Sequence, residues 1–248
     1  MSTGLTTIGE RRLGSTMRRD QWWVELIPAI ILLGGFGLYA TARAFEGKYY
    51  EWGPYLSPFY SPLIDSHHRW WPFSPALLIL VWPLGFRATC YYYRRSYYRA
   101  FFWSPPACAV PDARPRYSGE TVFPFLLQNI HRYFFYLAVL LVVFLWWDAL
   151  LAFRFPTGLG IGLGTLILVA NVAMLSLYTF SCHSCRHLCG GYLDSFARAP
   201  LRYRLWRTFN RLNARHGMYA WLSLFSVIIA DVYVRLVATG VLTDVRFV

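Results

Sequence analysis

Five apolar runs, each near the ~20 residues that a helix needs to cross the hydrocarbon of a bilayer, leave this chain few folds to choose from. They cover Trp22–Arg43, Phe73–Tyr91, Tyr133–Phe153, Gly158–Phe180 and Gly217–Ala238. Lipid offers the backbone no hydrogen-bond partners, so runs of this length fold as helices. The expected fold class is all-α: an integral membrane bundle of five transmembrane helices, a single transmembrane domain over residues 1–248, with amphipathic segments on the cytoplasmic side. Only 15% of residues are charged and 56% are hydrophobic, too little polar surface for a water-soluble domain, which carries about 25% charge. The same figures exclude a disordered chain, a collagen and a secreted disulfide scaffold. Pro28, Pro75 and Pro83 fall inside or at the start of spans, where a packed bundle tolerates them. The first run lacks the cleavage pattern of a signal peptide, and neither an internal repeat nor a low-complexity tract stands out.

The formal net charge of +12 invites a nucleic-acid reading, which the distribution of charge rejects. Of the 24 basic residues all but Lys48 are arginine, and they lie between the apolar runs rather than along one soluble face. Eighteen of them belong to the N-terminal tail, the Arg87–Arg132 segment and the Arg186–Arg215 loop. The positive-inside rule then puts the N-terminus and both long loops in the cytoplasm, with the Tyr49–Trp71 loop and the C-terminus outside. The chain is expected to be a multi-pass protein of the cell (plasma) membrane. Its two basic loops, Tyr91–Arg99 and Arg198–Arg215, interleave arginine with aromatic side chains. That pattern suits an interfacial amphipathic helix and equally a docking platform for a peripheral subunit.

Cysteine and histidine carry the chemical signal. All five cysteines (Cys90, Cys108, Cys182, Cys185, Cys189) and four of six histidines (His131, His183, His187, His216) fall on the expected cytoplasmic side, where thiols stay reduced. In the run from Ser181 to Cys189, a continuous helix would align Cys182, Cys185 and Cys189 on one face and His183 with His187 on another. Cys90, His131 and His216 end or open neighbouring spans at the same depth. Four helix ends thus deliver soft ligands to one layer. Zinc, haem b on His131 and His216, or a [2Fe–2S] cluster held by two Cys and two His all suit such a set. Spacing does not decide among them, since only Cys185-x-His187 echoes the soluble Rieske pattern. Cys108, His67 and His68 read as structural.

Two acids lie deep in the opposite half of the bundle. Asp148 and Asp231 are either partners of Arg43, Arg154 or Arg235, or members of a proton path, and an acid inside a membrane invites the second reading.

Five stretches carry a family likeness: FRATCYYYR from Phe86, SPPACAV from Ser104, QNIHRYFFY from Gln128, SCHSCRH from Ser181 and LNARH from Leu212. They resemble the membrane-anchor (cytochrome b-type, C) subunit of actinobacterial succinate dehydrogenase, of the mycobacterial succinate dehydrogenase 1 type. The likeness implies a subunit of respiratory complex II that docks a flavoprotein and an iron–sulfur subunit, which hold the dicarboxylate chemistry. It also implies electron passage to a quinone, menaquinone in this branch, through a membrane-embedded Rieske-type [2Fe–2S] cluster that replaces haem b. A haem b-containing anchor and a non-redox zinc or structural scaffold are the alternatives. The ligand set expected under this likeness is Cys182 and Cys185 on one iron, with two of His131, His183, His187 and His216 on the other. Cys90 is the reserve thiolate, and Cys189, just outside the matching stretch, is left out. Arg132 and Tyr178 are the quinone candidates. No residue of the chain is expected to be catalytic, and a higher oligomer of the complex is left open.

Overall fold

Along Gly217–Ala238 the small and apolar residues Ala220, Ser223, Leu224, Val227, Ala230 and Val234 recur every three or four positions, the spacing of one helical face. In the computed structural model, which describes residues 15–64, 73–113, 121, 123, 125–191 and 193–248, that face is buried, and its helix is the most buried of the four that are long and apolar. The helices in chain order are α1 (Ile27–Glu46), α2 (Ala76–Thr89), α3 (Tyr91–Phe102), α4 (His131–Leu151), α5 (Leu163–Phe180), α6 (His183–Gly190), α7 (Pro200–Asn213) and α8 (His216–Ala238). Helix α8 packs along α5, α5 against α4, and α4 against α2. Helix α1 is the outermost member, burying only Ala44. On α4 the outward side chains Leu140, Val143, Trp147 and Leu150 are exposed, as a surface meant for acyl chains should be.

Four helical segments are long and apolar enough to cross a bilayer: Trp22–Glu46, Gln128–Leu151, Leu163–Phe180 and His216–Ala238. The expected second span is shorter in the structure. Its helix α2 holds 14 residues, roughly 21 Å at 1.5 Å per residue, against a hydrocarbon core of about 30 Å.

Both of the basic loops contain a helix, α3 and α7, and each of α2 and α5 ends in the same way. After α2 the backbone of Cys90 turns extended (φ −68°, ψ 131°) before α3 begins, and after α5 Cys182 does the same (φ −61°, ψ 147°) before α6. A continuous helix from Ser181 to Cys189 is therefore not formed, and α6 starts only at His183. Cys182 caps it from outside, its sulfur accepting from the Ser184 amide at 3.4 Å, and does not share a helical face with Cys185. At the opposite end of the bundle two short hairpins, Glu51–Trp52 with Tyr55–Leu56 and Arg154–Phe155 with Gly158–Leu159, close the connections. Gly53 takes the left-handed turn position of the first (φ +53°), a conformation that costs glycine least.

Candidate metal centre

Four helices start at one level of the bundle, and each start carries a soft donor. Cys90 caps α3, His131 opens α4, Cys182 caps α6 and His216 opens α8. The side chains meet in pairs. Cys90 Sγ lies 3.3 Å from His216 Nε2, and Cys182 Sγ lies 3.0 Å from His131 Nε2. Cys90, Cys182 and His216 are almost fully buried, and both sulfurs sit in one apolar cluster with Phe86, Tyr93, Phe135 and Tyr178. Each imidazole also uses its second nitrogen. Thr89 Oγ1 is 2.7 Å from His131 Nδ1, and Ser181 Oγ is 2.7 Å from His216 Nδ1. An aromatic ring covers each imidazole: Phe86 lies parallel to His131 and Tyr178 to His216.

The other donors singled out in the sequence belong to neither pair. Cys185 is buried in the first turn of α6, and burial, with Cys189 next in weight, pushes its thiol up to about 12. Burial likewise pushes the Cys182 thiol up to about 12, so both are S–H groups at neutral pH. His183 is exposed, burial of part of its ring and then Arg186 hold its pKa below the usual value, and its ring centre lies 6.3 Å from that of His187. His187 meets the exposed Arg132 guanidinium through Nδ1 at 3.4 Å. Cys108 is exposed and its carbonyl accepts from Arg18, while His67 and His68 lie outside the described residues. Asp231 pairs with Arg235 far along α8. Asp148, near the end of α4, makes no ion pair among the described residues.

Thr89, Ser181 and Arg87 are the functional candidates that motif reading passed over. Their signal was available: a hydroxyl residue precedes each paired cysteine, as Thr89-Cys90 and Ser181-Cys182. Arg87 donates to Ser223 Oγ (3.2 Å) and to Tyr93, and its Cζ stands 4.8 Å above the Tyr178 ring.

Among the described residues no three His, Cys, Asp or Glu side chains converge on a point that one ion would occupy, as a closed zinc tetrahedron requires. Two thiols and two imidazoles, brought together as two adjacent pairs, supply the number and kind of protein ligands that a binuclear iron–sulfur group takes. The positive ends of four helices stabilise the negative charge that ligating thiolates carry. The residues present therefore fit such a group.

A family model described as actinobacterial succinate dehydrogenase subunit SdhC matches residues 24–240. A chain of the Mycobacterium smegmatis Sdh1 complex in the apo form is similar over 100% of both chains, with 42% sequence identity and a TM-score of 0.88. No curated protein matches the chain.

Proposed function

Because the chain belongs to the actinobacterial succinate dehydrogenase subunit SdhC family, and so is a subunit of a complex whose succinate chemistry lies on a partner, we propose that it anchors that complex and carries electrons to a quinone. The observation that supports this most is the double Cys–His pairing, Cys90 with His216 and Cys182 with His131. We read these four as the ligands of a Rieske-type [2Fe–2S] cluster. When bound there, such a group supplies a one-electron relay whose potential histidine ligation raises above that of all-cysteine ferredoxins.

The chain's own contribution is position and environment. Cys90 and Cys182 give up their thiol protons to become ligands, at helix starts that favour the thiolate. Phe86, Tyr93, Phe135 and Tyr178 keep water from the site and lower its dielectric. A cavity of about 770 Å³ opens beside them, between α1, α2 and α4. Its walls are apolar, with Leu33, Phe36, Leu80 and Leu141 among them, and Arg87, Tyr93 and Tyr178 stand at the metal-centre end. That is a fit for menaquinone: an isoprenoid tail along the apolar wall and a ring oxygen accepting from Arg87, while Tyr93 commits its hydroxyl hydrogen to the Ala220 carbonyl. Of the two quinone candidates in the sequence Tyr178 lines the cavity, and the exposed Arg132 does not.

The remaining features follow from the arginine distribution. Helices α3, α6 and α7 face the cytoplasm and receive the iron–sulfur and flavoprotein subunits, α2 crosses as a fifth span, and the membrane is the plasma membrane. Asp148 is the acid left for proton movement coupled to quinone reduction, because Asp231 is held in an ion pair.

Low-temperature EPR of the purified complex, with an optical spectrum and iron and sulfide assays, tests this reading. A Rieske-type signal in the reduced state without a haem Soret band is the expected result. A Soret band would assign the chemistry to a haem on His131 and His216, and a preparation free of iron and labile sulfide would make the four side chains structural.

A further inference from the structure

Phe86-Arg87-Ala88-Thr89-Cys90 and Tyr178-Thr179-Phe180-Ser181-Cys182 follow one pattern: an aromatic residue, two intervening residues, a hydroxyl residue, a cysteine. The two segments end different membrane helices, yet they treat their surroundings alike. The Phe86 ring lies 5.0 Å from His131 at an interplanar angle of 5°, and the Tyr178 ring lies 5.1 Å from His216 at 14°. The hydroxyl of each segment bonds Nδ1 of that same histidine, Thr89 to His131 and Ser181 to His216, both at 2.7 Å. The cysteine of each segment then faces the other segment's histidine.

The direction of the hydroxyl bonds fixes the protons on the rings. Thr89 Oγ1 lies 2.7 Å from the Gly85 carbonyl oxygen, and Ser181 Oγ lies 3.0 Å from that of Tyr178. A hydroxyl has one hydrogen and a carbonyl can only accept, so that hydrogen is committed to the carbonyl. Toward Nδ1 each hydroxyl therefore offers a lone pair, and the imidazole has to donate from Nδ1. Its Nε2 then holds the free lone pair, and Nε2 is the atom that faces the sulfur. The thiols complete the pattern by donating S–H to Nε2. The protons of the two hydroxyls, the two imidazoles and the two thiols are thereby all placed.

We propose that Thr89 and Ser181 are positioning residues that lock His131 and His216 in the Nδ1–H tautomer, so that both present Nε2 to the metal, and that the two five-residue segments are equivalent cradles, each holding the histidine that meets the other's cysteine. The presentation to metal rests on the cluster reading above; the tautomer lock rests on the hydrogen bonds alone. Hydrogen-bonded partners behind a ligating histidine set its tautomer and basicity.

The test uses the whole complex in membranes, labelled with ¹⁵N-histidine, as wild type and as Thr89→Val, Ser181→Ala, Thr89→Ser and Ser181→Thr. After iron removal by chelation, ¹⁵N spectra of the wild type should show His131 and His216 protonated at Nδ1 and bare at Nε2. Thr89→Val should release the lock at His131 alone and Ser181→Ala at His216 alone. In the loaded complex each of these should lose iron to a chelator ten- to a hundredfold faster, the usual penalty for removing such a partner, while Thr89→Ser and Ser181→Thr behave as wild type. A wild-type spectrum with either ring protonated at Nε2 would overturn the lock. Iron-release rates within twofold of wild type in both hydroxyl-deleted variants would overturn its role toward the metal. Wild-type complex without iron or sulfide would instead defeat the cluster reading, and the ¹⁵N spectra would still decide the tautomers.

Discussion

Asp231 and Arg235 meet one turn apart on α8, Oδ2 to Nε at 2.8 Å, with no surface of the carboxylate left exposed. The pair is the centre of a network. Tyr39 and Ser57 also donate to Asp231, and Arg235 reaches Glu46 Oε2 at 2.7 Å, the same oxygen that Arg43 contacts. A buried charge that loses its only counter-ion costs about 3–5 kcal/mol. Arg235→Ala, which strips Asp231 of its one ion pair among the described residues, should lower the thermal midpoint of the detergent-solubilised complex accordingly; Asp231→Ala, which leaves Arg235 paired with Glu46, should lower it less, and the double variant should lose less than the sum. Quinone reduction per folded complex should hold in all three, which would assign Asp231 to structure. Asp148→Asn should do the reverse, leaving the midpoint in place and slowing quinone reduction.

The pairing of donors separates two ligand sets that share Cys182. Cys90→Ser and Cys182→Ser should each abolish the reduced-state EPR signal and the bound sulfide. Cys185→Ser, one turn into α6 and outside both pairs, should keep them. A signal lost in Cys185→Ser and kept in Cys90→Ser would restore the Cys182–Cys185 set.

Iron removal should leave the fold standing. Each thiol has an imidazole to donate to, and each Nδ1 has a hydroxyl, so the four side chains satisfy one another without metal. This differs from a zinc finger, whose binding energy is its folding energy. Helical circular dichroism of the chelated complex should match that of the loaded one.

Gly85 is where α2 and α4 touch: a Cβ there would run into the Phe134 ring. The same residue's carbonyl receives the Thr89 hydroxyl. Gly85→Ala should therefore cost about 1–3 kcal/mol by overpacking and, by moving Thr89 away from His131, also broaden the EPR signal. A stability loss with an unchanged signal would mean that α4 yields and α2 stays.

Much of this molecule can be read from its sequence, and the parts that cannot share one cause. The apolar runs and the basic loops give the bundle, because lipid leaves the backbone no other solution. Cys90, His131, Cys182 and His216 stand out by depth, since residue counts from span boundaries fix it to within a turn. Which cysteine meets which histidine depends on how the chain leaves a helix. Cys182-x-x-Cys185 suggests neighbours on a helical face, and the extended backbone at Cys182 cancels that suggestion. The length of α2 escapes for a similar reason, as its apolar run extends beyond the residues that are helical. Asp231 was assignable to Arg235 by the i, i+4 spacing alone, whereas its bonds to Tyr39 and Ser57 come from 174 to 192 residues away and leave no local trace.

Helix α1 buries Ala44 and little else over its 20 residues, and it forms one wall of the cavity lined at one end by Arg87, Tyr93 and Tyr178. Resistance to local opening follows the amount of packing that an opening disrupts. The weakest wall of the chamber is thus the one that borders the acyl chains, and not the one that α8 guards. A long apolar guest would come and go sideways, by parting α1 from α2, without passing through water at either end.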